Sequence, residues 1–338
     1  MDSSHIKWIE NILGQRRRWT VPVTQPMMLC SQVQRAGGTL LARLFDGHPA
    51  CFAHPFELQW GRPRKFNWPQ LDLSAQRTAQ ELYERIHERW PRKAVKRGFE
   101  KYSKWTHRHF PDAVERQPFL FDPCLQQDIF AAALSGQAAD RSQRGVLNAY
   151  LTSLFNAWLD YQNLYRGPKQ WVTAFLARLI METDGTDRFF ADYPDGLLVT
   201  IVREPGEWLS SYTRHMDADE AEPALDAWLA SADASMRAHA ARPDQVVVLL
   251  FEDLVHRTDS VMRMLCERMR LAFNEVLLEP TYNSMPVASD SSHRPATGID
   301  RGVTERYRET LTPEQMAAVT EQAMPRFRDI QARFGLKQ

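Results

Sequence analysis

MMLCSQVQRAGGTLLARLFDGHP, residues 27–49, is the part of this 338-residue chain from which its architecture follows. It opens with a short, unbroken apolar run, which is typical of a strand buried on both faces of a sheet. Gly37 and Gly38 then allow a tight turn without a Cβ penalty. From Thr39 onward, leucines recur at helical spacing until Gly47 ends the segment. The stretch therefore predicts a buried strand, a glycine turn and a helix.

The turn between this strand and this helix has the geometry of a phosphate site. Backbone N–H groups and the positive end of the helix dipole would point at one place beyond the strand, where an anion is favoured. The sequence is not a Walker A motif, because no lysine follows the glycines. The cation comes before them instead, as Arg35. We therefore expect a guanidinium to approach the anion from the start of the loop.

The composition limits the classes of protein to be considered. Lys plus Arg and Asp plus Glu both number 42, so no overall charge points to nucleic acid or a membrane surface as a partner. The four cysteines are scattered and lack metal-ligand spacing, which favours free thiols in a reducing compartment. No apolar run approaches the roughly 18 residues of a membrane span, and no signal peptide is evident. We therefore expect a cytoplasmic protein without a membrane span, a metal or a nucleic-acid partner.

Strands and helices alternate along the rest of the chain. Two further apolar runs, 197–202 and 246–251, are rich in β-branched residues and lack even–odd patterning, as strands of a buried parallel sheet do. The pattern predicts an α/β fold, a single domain over 1–338 with a central parallel sheet flanked by helices. Within it, 1–25 form an N-terminal lead-in and 91–165 form a helical insertion on the substrate side.

A second anion site is predicted where the 197–202 strand ends. Arg203 follows that strand directly, at the edge where open α/β sheets bind their ligands. Ser211 lies in the first turns of the next helix. A strand-end arginine and a nearby hydroxyl can together hold a phosphate, the arginine in bidentate fashion. The alternative interpretation is a surface ion pair of Arg203 with Glu204 or Glu207, beside an ordinary helix serine.

At the glycine turn the chain resembles the sulfotransferase family. The segment QRAGGTL, residues 34–40, is similar to the 5′-phosphosulfate loop of that family. The matching positions are Arg35, Gly37, Thr39 and Leu40. The segment departs from the family pattern at Ala36 and Gly38, where the family has hydroxyl side chains.

The resemblance continues at two later segments, in the same order as in the family. REPGEWLSS, residues 203–211, matches the family's 3′-phosphate element in residue type and spacing. LLFEDL, residues 249–254, is similar to a strand end of the family that carries two acids. We interpret Glu252 and Asp253 as residues that hold the fold and cap the next helix, not as catalytic groups.

The resemblance implies a P-loop NTPase-like sulfotransferase fold and transfer of a sulfuryl group from 3′-phosphoadenosine 5′-phosphosulfate (PAPS). The acceptor would be a hydroxyl or amine of a small molecule or carbohydrate, and no metal would be needed. The 5′ end of the donor would be held by Arg35, Ala36, Gly37, Gly38, Thr39 and Leu40. The 3′ phosphate would be held by Arg203 and Ser211. A C-terminal loop, which lacks the family's Arg-Lys-Gly form, would add Arg294, Gly298 and Arg301.

An acceptor hydroxyl needs a general base to remove its proton. We assign this role to Glu57, which should open at the same sheet edge as the phosphate loop and lies where carboxylate-using members of the family place their base. His54 is the main rival. His107 and His109 become candidates if the basic and aromatic interval 91–121 folds over the site, although that interval is more simply a solvated helix with aromatic anchors.

Two other functions stay open at this point. A P-loop nucleotide kinase would need a lysine in the loop and an acid that binds Mg²⁺, and the lysine is missing. A non-catalytic relative would keep the nucleotide or a partner while lacking the chemistry, and the altered positions Ala36 and Gly38 leave room for that. Neither the identity of the acceptor nor the formation of a homo-oligomer can be read from the residues.

Overall fold

A parallel five-stranded sheet forms the centre of the computed structural model. The structure describes residues 3–60, 67–73, 77–86, 88, 99–100, 116–117, 119–135, 139–216, 221–289, 296–304 and 307–337. The strands of the sheet are β1 (Met27–Cys30), β2 (Cys51–Glu57), β3 (Trp171–Phe175), β4 (Leu197–Val202) and β5 (Val246–Leu250). Their spatial order is β2-β3-β1-β4-β5, and every neighbouring pair is parallel. The predicted fold class, a central parallel sheet flanked by helices, is confirmed.

Helices connect these strands and extend the chain on either side of them. They are α1 (Ser3–Arg18), α2 (Gly38–Phe45), α3 (Ala79–Ile86), α4 (Pro123–Ala133), α5 (Gln143–Ala157), α6 (Gly185–Asp192), α7 (Pro205–Met216), α8 (Ala221–Ala241), α9 (Phe251–His256), α10 (Thr258–Met269), α11 (Pro313–Ala318) and α12 (Met324–Phe334). Short 3-10 turns cover Leu179–Met181, Glu275–Leu278, Arg301–Thr304 and Tyr307–Glu309. Two-residue strands pair Phe99–Glu100 with Arg116–Gln117, Thr281–Tyr282 with Met285–Pro286, and Ala288–Ser289 with Ala296–Thr297.

Both faces of the sheet are covered, as the unbroken apolar runs predict. Met27 and Leu29 of β1 belong to one buried cluster, which contains α4 and α5 side chains. Met28 and Cys30 alternate with them and belong to a second cluster on the opposite face. Because each β1 side chain is buried, the strand cannot shift its register without moving apolar groups between the two faces.

The order of the strands creates a crevice beside β1. From β1 the chain crosses to the β2 side of the sheet, whereas from β4 it continues outward to β5. Since β1 and β4 are neighbours, their carboxyl ends separate two connections that run in opposite directions. Open α/β sheets bind ligands at such a point. The loop after β1 and the residues after β4 line it.

Three elements differ from their predicted bounds. Residues 50–53 alone predict a short second strand, but β2 runs on to Glu57, with a shift in register between Ala53 and Glu57. Pro55 lies inside the shift, where its missing N–H is tolerated. The sequence predicts one helix after residues 252–254, running to about 270, but the structure has two, α9 and α10. The sequence TPEQ, residues 312–315, predicts the start of the last helix, and the structure has a capping box of Thr312 and Gln315 there. A π-helical segment, Val319–Ala323, interrupts this helix.

The expected insertion, 91–165, is described only in part. From residue 119 onward it contains α4 and α5, which pack on the central cluster. Of residues 91–118 the structure describes only 99–100 and 116–117. His107 and His109 lie outside the described residues, and the role of the insertion on the substrate side stays a prediction. The same holds for the division into one domain. Across the described ranges, no helix combines the length and the apolar character needed to cross a bilayer.

Candidate functional site

The loop after β1 makes a close turn that only glycine fits at its apex. Gly37 has a φ of 110°, and a Cβ placed there would lie 2.5 Å from Cδ2 of Phe251. A Cβ on Gly38 would meet the side chains of Gln32 and Phe175. Arg35 adopts a φ of 69°, which is unusual for a residue with a side chain. The loop is therefore held close to the ends of β3 and β5.

The helix that follows the loop presents its N-terminal N–H groups to the crevice. Among the described residues, no side chain caps α2, whose N-cap residue is Gly37. The first N–H groups of a helix have no partner within it, so those of α2 are suited to an anion. Thr39 in this first turn is exposed, and Arg35 is half-buried. The start of the loop is fixed by a hydrogen bond of 2.9 Å from the Val33 N–H to Oγ of Ser231.

The two predicted anion motifs touch each other. Nε of Arg35 donates to Oγ of Ser211 at 3.3 Å, and Nη1 of Arg203 donates to the carbonyl oxygen of Arg35 at 3.2 Å. The structure thus places the loop after β1 and the element after β4 in one crevice. Two anionic groups of a single ligand could be held by them together.

Arg203 is more deeply buried than a strand-end arginine was expected to be, with 4% of its surface exposed. Its guanidinium lies 4.4 Å from the centre of the Phe251 ring and 3.6 Å from Oε2 of the buried Glu207. Burial lowers the pKa of Arg203 to about 10, although Glu207 and Glu252 oppose this. The ion pair with Glu207 that the sequence left open is therefore present, as a buried pair and not a surface one.

The acids after β5 hold the ends of neighbouring strands together. Oε1 of Glu252 accepts a 2.9 Å bond from the Glu204 N–H, directly after Arg203. Burial raises the pKa of Glu252 to about 7. Oδ2 of Asp253 accepts from the Leu336 N–H at 3.0 Å, which ties the C-terminal segment to the sheet edge. These bonds agree with the fold-holding role inferred from the sequence. The expected capping is not seen, since among the described residues no side-chain hydrogen bond caps α9, whose N-cap residue is Leu250.

Of the two candidate bases, Glu57 lies at the ligand-binding edge of the sheet. It is the last residue of β2, pairs in register with Phe175 and is half-buried. His54 is in the interior of the strand. Its Nε2 lies 2.9 Å from Oε2 of Glu88 and its Nδ1 lies 2.7 Å from the oxygen of Phe56, and neither side chain of the His54–Glu88 pair is exposed. This geometry favours a structural role for His54, and the choice of Glu57 as the base stays a prediction.

The C-terminal residues proposed for the 3′ phosphate are described only partly. Arg294 lies outside the described residues. Gly298 has a φ of 66°, and no atom of the described residues would lie within 4 Å of a Cβ placed there. Arg301 is exposed and lines a cavity of about 350 Å³ together with residues 256–260. The role of Arg301 at the 3′ phosphate therefore also stays a prediction.

Sequence reasoning missed three residues that shape the crevice. Phe251 packs against Gly37 and under Arg203, Gln32 packs against Gly38, and Arg178 follows the end of β3. Arg178 had a usable signal, since residues 170–173 predict a strand shortly before it, as 197–202 do before Arg203. Phe251 and Gln32 had none, because their importance depends on contacts between distant segments. Within the described ranges, no group of three or more His, Cys, Asp or Glu is arranged to hold a metal ion.

An open parallel sheet with a glycine loop and an arginine pair at its carboxyl edge defines an α/β protein of the P-loop-like class. Within that class, the chain belongs to the sulfotransferase family, because the model of that family matches residues 32–275, most of the chain. A search of the curated proteins by sequence finds no match.

Solved structures with a similar fold are also sulfotransferases. The sulfotransferase domain from the Synechococcus PCC 7002 olefin synthase has a TM-score of 0.50 and 17% identity, over 94% of this chain and 97% of that one. The sulfotransferase domain from the curacin biosynthetic pathway has a TM-score of 0.46 and 16% identity, over 89% and 98%. Mouse sulfotransferase SULT7A1 complexed with PAP has a TM-score of 0.41 and 10% identity, over 96% and 93%. At such identities, the likeness concerns the fold alone.

Proposed function

We propose that this protein transfers a sulfuryl group from PAPS to a hydroxyl or amine of a small-molecule or carbohydrate acceptor. The observation that carries the proposal is the contact between the two anion motifs, in which Arg35 bonds to Ser211 and Arg203 bonds to Arg35. PAPS carries anionic groups at both the 5′ and the 3′ positions of one adenosine. A single crevice that brings two cationic elements together suits such a ligand, and the chain's family membership supports the choice.

The residues around the loop fit the 5′ end of the donor. The uncapped N-terminus of α2 offers backbone N–H groups, Thr39 offers an exposed hydroxyl, and Arg35 offers the cation. Ala36 and Gly38 add no hydroxyl, so backbone N–H groups must supply those contacts. Leu40 follows them within the helix and contributes its own N–H. The same fixed dipoles would stabilise negative charge on a leaving phosphate.

The 3′ phosphate is assigned to Arg203 and Ser211, with Gly298, Arg294 and Arg301 as outer contacts. Phosphate competes with Glu207 for the Arg203 guanidinium, since that carboxylate lies 3.6 Å from it. A phosphate dianion interacts more strongly with a buried cation than a carboxylate does, because it carries twice the negative charge. This requirement for a 3′ phosphate would separate PAPS from ATP as the donor.

In the proposed reaction, bound PAPS supplies the sulfuryl group and this chain supplies the base and the electrostatic environment. Glu57 takes the proton of the acceptor hydroxyl as the acceptor oxygen bonds to sulfur. The bond between sulfur and the 5′ phosphate oxygen breaks, and that oxygen keeps the electron pair. The N-terminus of α2 and Arg35 face the oxygen that gains charge. A positioned base contributes roughly a hundredfold to ten-thousandfold to such a rate.

A thermal-shift comparison of nucleotides tests the donor assignment. We expect 3′,5′-phosphoadenosine (PAP) to raise the melting temperature without added metal, and ATP, ADP and NAD to raise it much less, because they lack the 3′ phosphate. At a hundred times its Kd, a ligand stabilises the folded state by about 2.7 kcal/mol. A larger shift with ATP and Mg²⁺ would favour a kinase instead. PAP binding without turnover of PAPS would indicate a non-catalytic relative.

A further inference from the structure

The segment after β3 is bound to the phosphate loop at successive points. The bonds run from Leu176 N to the oxygen of Cys30 at 2.9 Å, from Arg178 N to the oxygen of Gln32 at 2.8 Å, and from Ile180 N to Oγ of Ser31 at 3.0 Å. The pairing of β3 with β1 therefore continues beyond both strands and into the loop. As a result, the backbone of Arg178 has a fixed position relative to the anion site.

Arg178 adopts a backbone conformation that an arginine has no intrinsic reason to take. Its φ is 68°, close to the 69° of Arg35, and Gln32, to which Arg178 is bonded, lies in the same loop as Arg35. A left-handed conformation costs an L-residue roughly 1–2 kcal/mol. Strain of this kind persists where surrounding contacts impose it and is concentrated at ligand sites. The half-buried Arg178 is thus held at the crevice by its neighbours.

The strand order places Arg178 between the two parts of the proposed reaction. On one side of β3 is β1 with its loop, and on the other is β2, which ends at Glu57. Glu57 is the register partner of Phe175, and the Leu58 N–H donates to the Phe175 oxygen at 2.8 Å. Neighbouring strands are about 4.8 Å apart. The long side chain of an arginine spans that distance toward either neighbour.

In the proposed reaction, a cation at this position would stabilise the transferring group. Nε of Arg35 bonds to Ser211, on the β4 side of the loop and away from β2. The acceptor, however, must approach from the side of its base. With Glu57 as the base, the three sulfuryl oxygens therefore lie between the loop and Glu57 during the transfer. Hydrogen bonds from an ionised donor are about twice as strong as neutral ones.

We propose that Arg178 is a catalytic residue that donates hydrogen bonds to the sulfuryl oxygens of PAPS; this assignment rests on the proposed function. The acceptor oxygen bonds to sulfur while the bond between sulfur and the 5′ phosphate oxygen breaks. During this step, Arg178 holds the sulfuryl group between the acceptor oxygen and the 5′ phosphate oxygen. The proton of the acceptor goes to Glu57, and the electron pair of the broken bond stays on the 5′ phosphate. Arg178 exchanges no proton in this step.

The difference between PAPS and PAP tests this assignment, because PAP lacks the sulfuryl group. Equilibrium affinities of both nucleotides are measured for the wild type, Arg178→Gln and Arg178→Gly. The glycine variant relieves the backbone strain, so it stays folded if glutamine disturbs the turn. We expect PAP affinity to stay within about twofold and PAPS affinity to fall about tenfold or more, as for a lost charged hydrogen bond. Arg178→Lys should recover part of the loss.

Arg270→Gln is the matched control, since Arg270 also has a positive φ, 50°, but sits exposed at the end of α10. The Arg270→Gln substitution should change neither the PAP affinity nor the PAPS affinity. Conversion of PAPS to PAP in single turnover, with water as acceptor, should fall about a hundredfold or more in the Arg178 variants. Equal loss of PAP and PAPS binding, or no loss of either, overturns the inference while leaving the proposed function intact. If the wild type binds neither nucleotide, the proposed function fails and this inference fails with it.

Discussion

Nη1 of Arg203 donates a hydrogen bond of 3.2 Å to the carbonyl oxygen of Arg35, and this bond joins the two proposed anion-binding motifs of the chain. It also supports the left-handed backbone of Arg35, because it holds the carbonyl oxygen of that residue in place. The same guanidinium neutralises Glu207 beneath the loop. Arg203 therefore acts on both the shape and the charge of the site.

Removal of this guanidinium should cost stability as well as binding. Arg203→Ala leaves Glu207, which is 1% exposed, in the interior without its cation. We expect the free energy of unfolding to fall by about 3–5 kcal/mol, and PAP affinity to fall with it. Urea unfolding measures the free energy of unfolding, and calorimetry measures the PAP affinity. Arg333→Ala, which breaks an exposed pair with Asp329, is the control and should cost less than about 1 kcal/mol. Similar losses in both variants would contradict the buried pair.

Glu252 should make the stability of the protein depend on pH. Burial raises the pKa of this carboxyl from 4.5 to about 7, so the folded protein retains a proton that the unfolded chain releases. The stability from this group is therefore complete below about pH 4.5 and is lost as the pH rises through 7. The loss is on the order of 3 kcal/mol.

Glu252→Gln tests this dependence, since its amide oxygen can still accept from the Glu204 N–H. Urea unfolding at pH 5, 6, 7 and 8 should show that the free energy of unfolding of the variant increases relative to that of the wild type as the pH rises. The exposed Glu267→Gln is the control and should follow the wild-type profile. Parallel profiles for Glu252→Gln and the wild type would show that Glu252 ionises normally.

The fit of Gly37 against Phe251 should control the shape of the loop. In Gly37→Ala, the new Cβ would lie 2.5 Å from the Phe251 ring, on a backbone with a φ of 110°. We expect PAP affinity to fall about tenfold, which corresponds to about 1.4 kcal/mol. Gly167→Ala is the matched control, because Gly167 has a φ of 130° but open space around it. That variant should lose stability through strain alone and bind PAP as the wild type does. Equal PAP affinity in both variants would show that the contact between Gly37 and Phe251 does not control the shape of the loop.

Glu57 and His54 can be separated by comparing turnover with stability. If Glu57 is the base, Glu57→Gln lowers the rate of PAPS conversion to PAP about a hundredfold or more and leaves PAP affinity unchanged. His54→Asn should instead lower the free energy of unfolding by about 1–3 kcal/mol, because Glu88 loses a buried partner. A large drop in turnover with normal stability in His54→Asn would exchange the two roles.

The sequence determined the central architecture because its signals are local. The apolar run at 27–30, the glycines after it and the apolar run at 197–202 each lie within one segment, and each predicts its element correctly. Arg203 was found for the same reason, since it follows its strand directly. The end of β2 lies beyond the predicted residues 50–53, because a shift in register accommodates Pro55 inside the sheet.

Only the tertiary structure decided how the site is assembled. Burial of Arg203 between Phe251 and Glu207, the pairing of His54 with Glu88 and the position of Arg178 depend on which strands become neighbours. Residues far apart in the chain supply these contacts, and no local sequence pattern predicts which of them will meet. Periodicity fixes the face on which a residue lies. The partner across a strand spacing is fixed by packing of the whole sheet, so the chemistry of the crevice emerges only when the chain is folded.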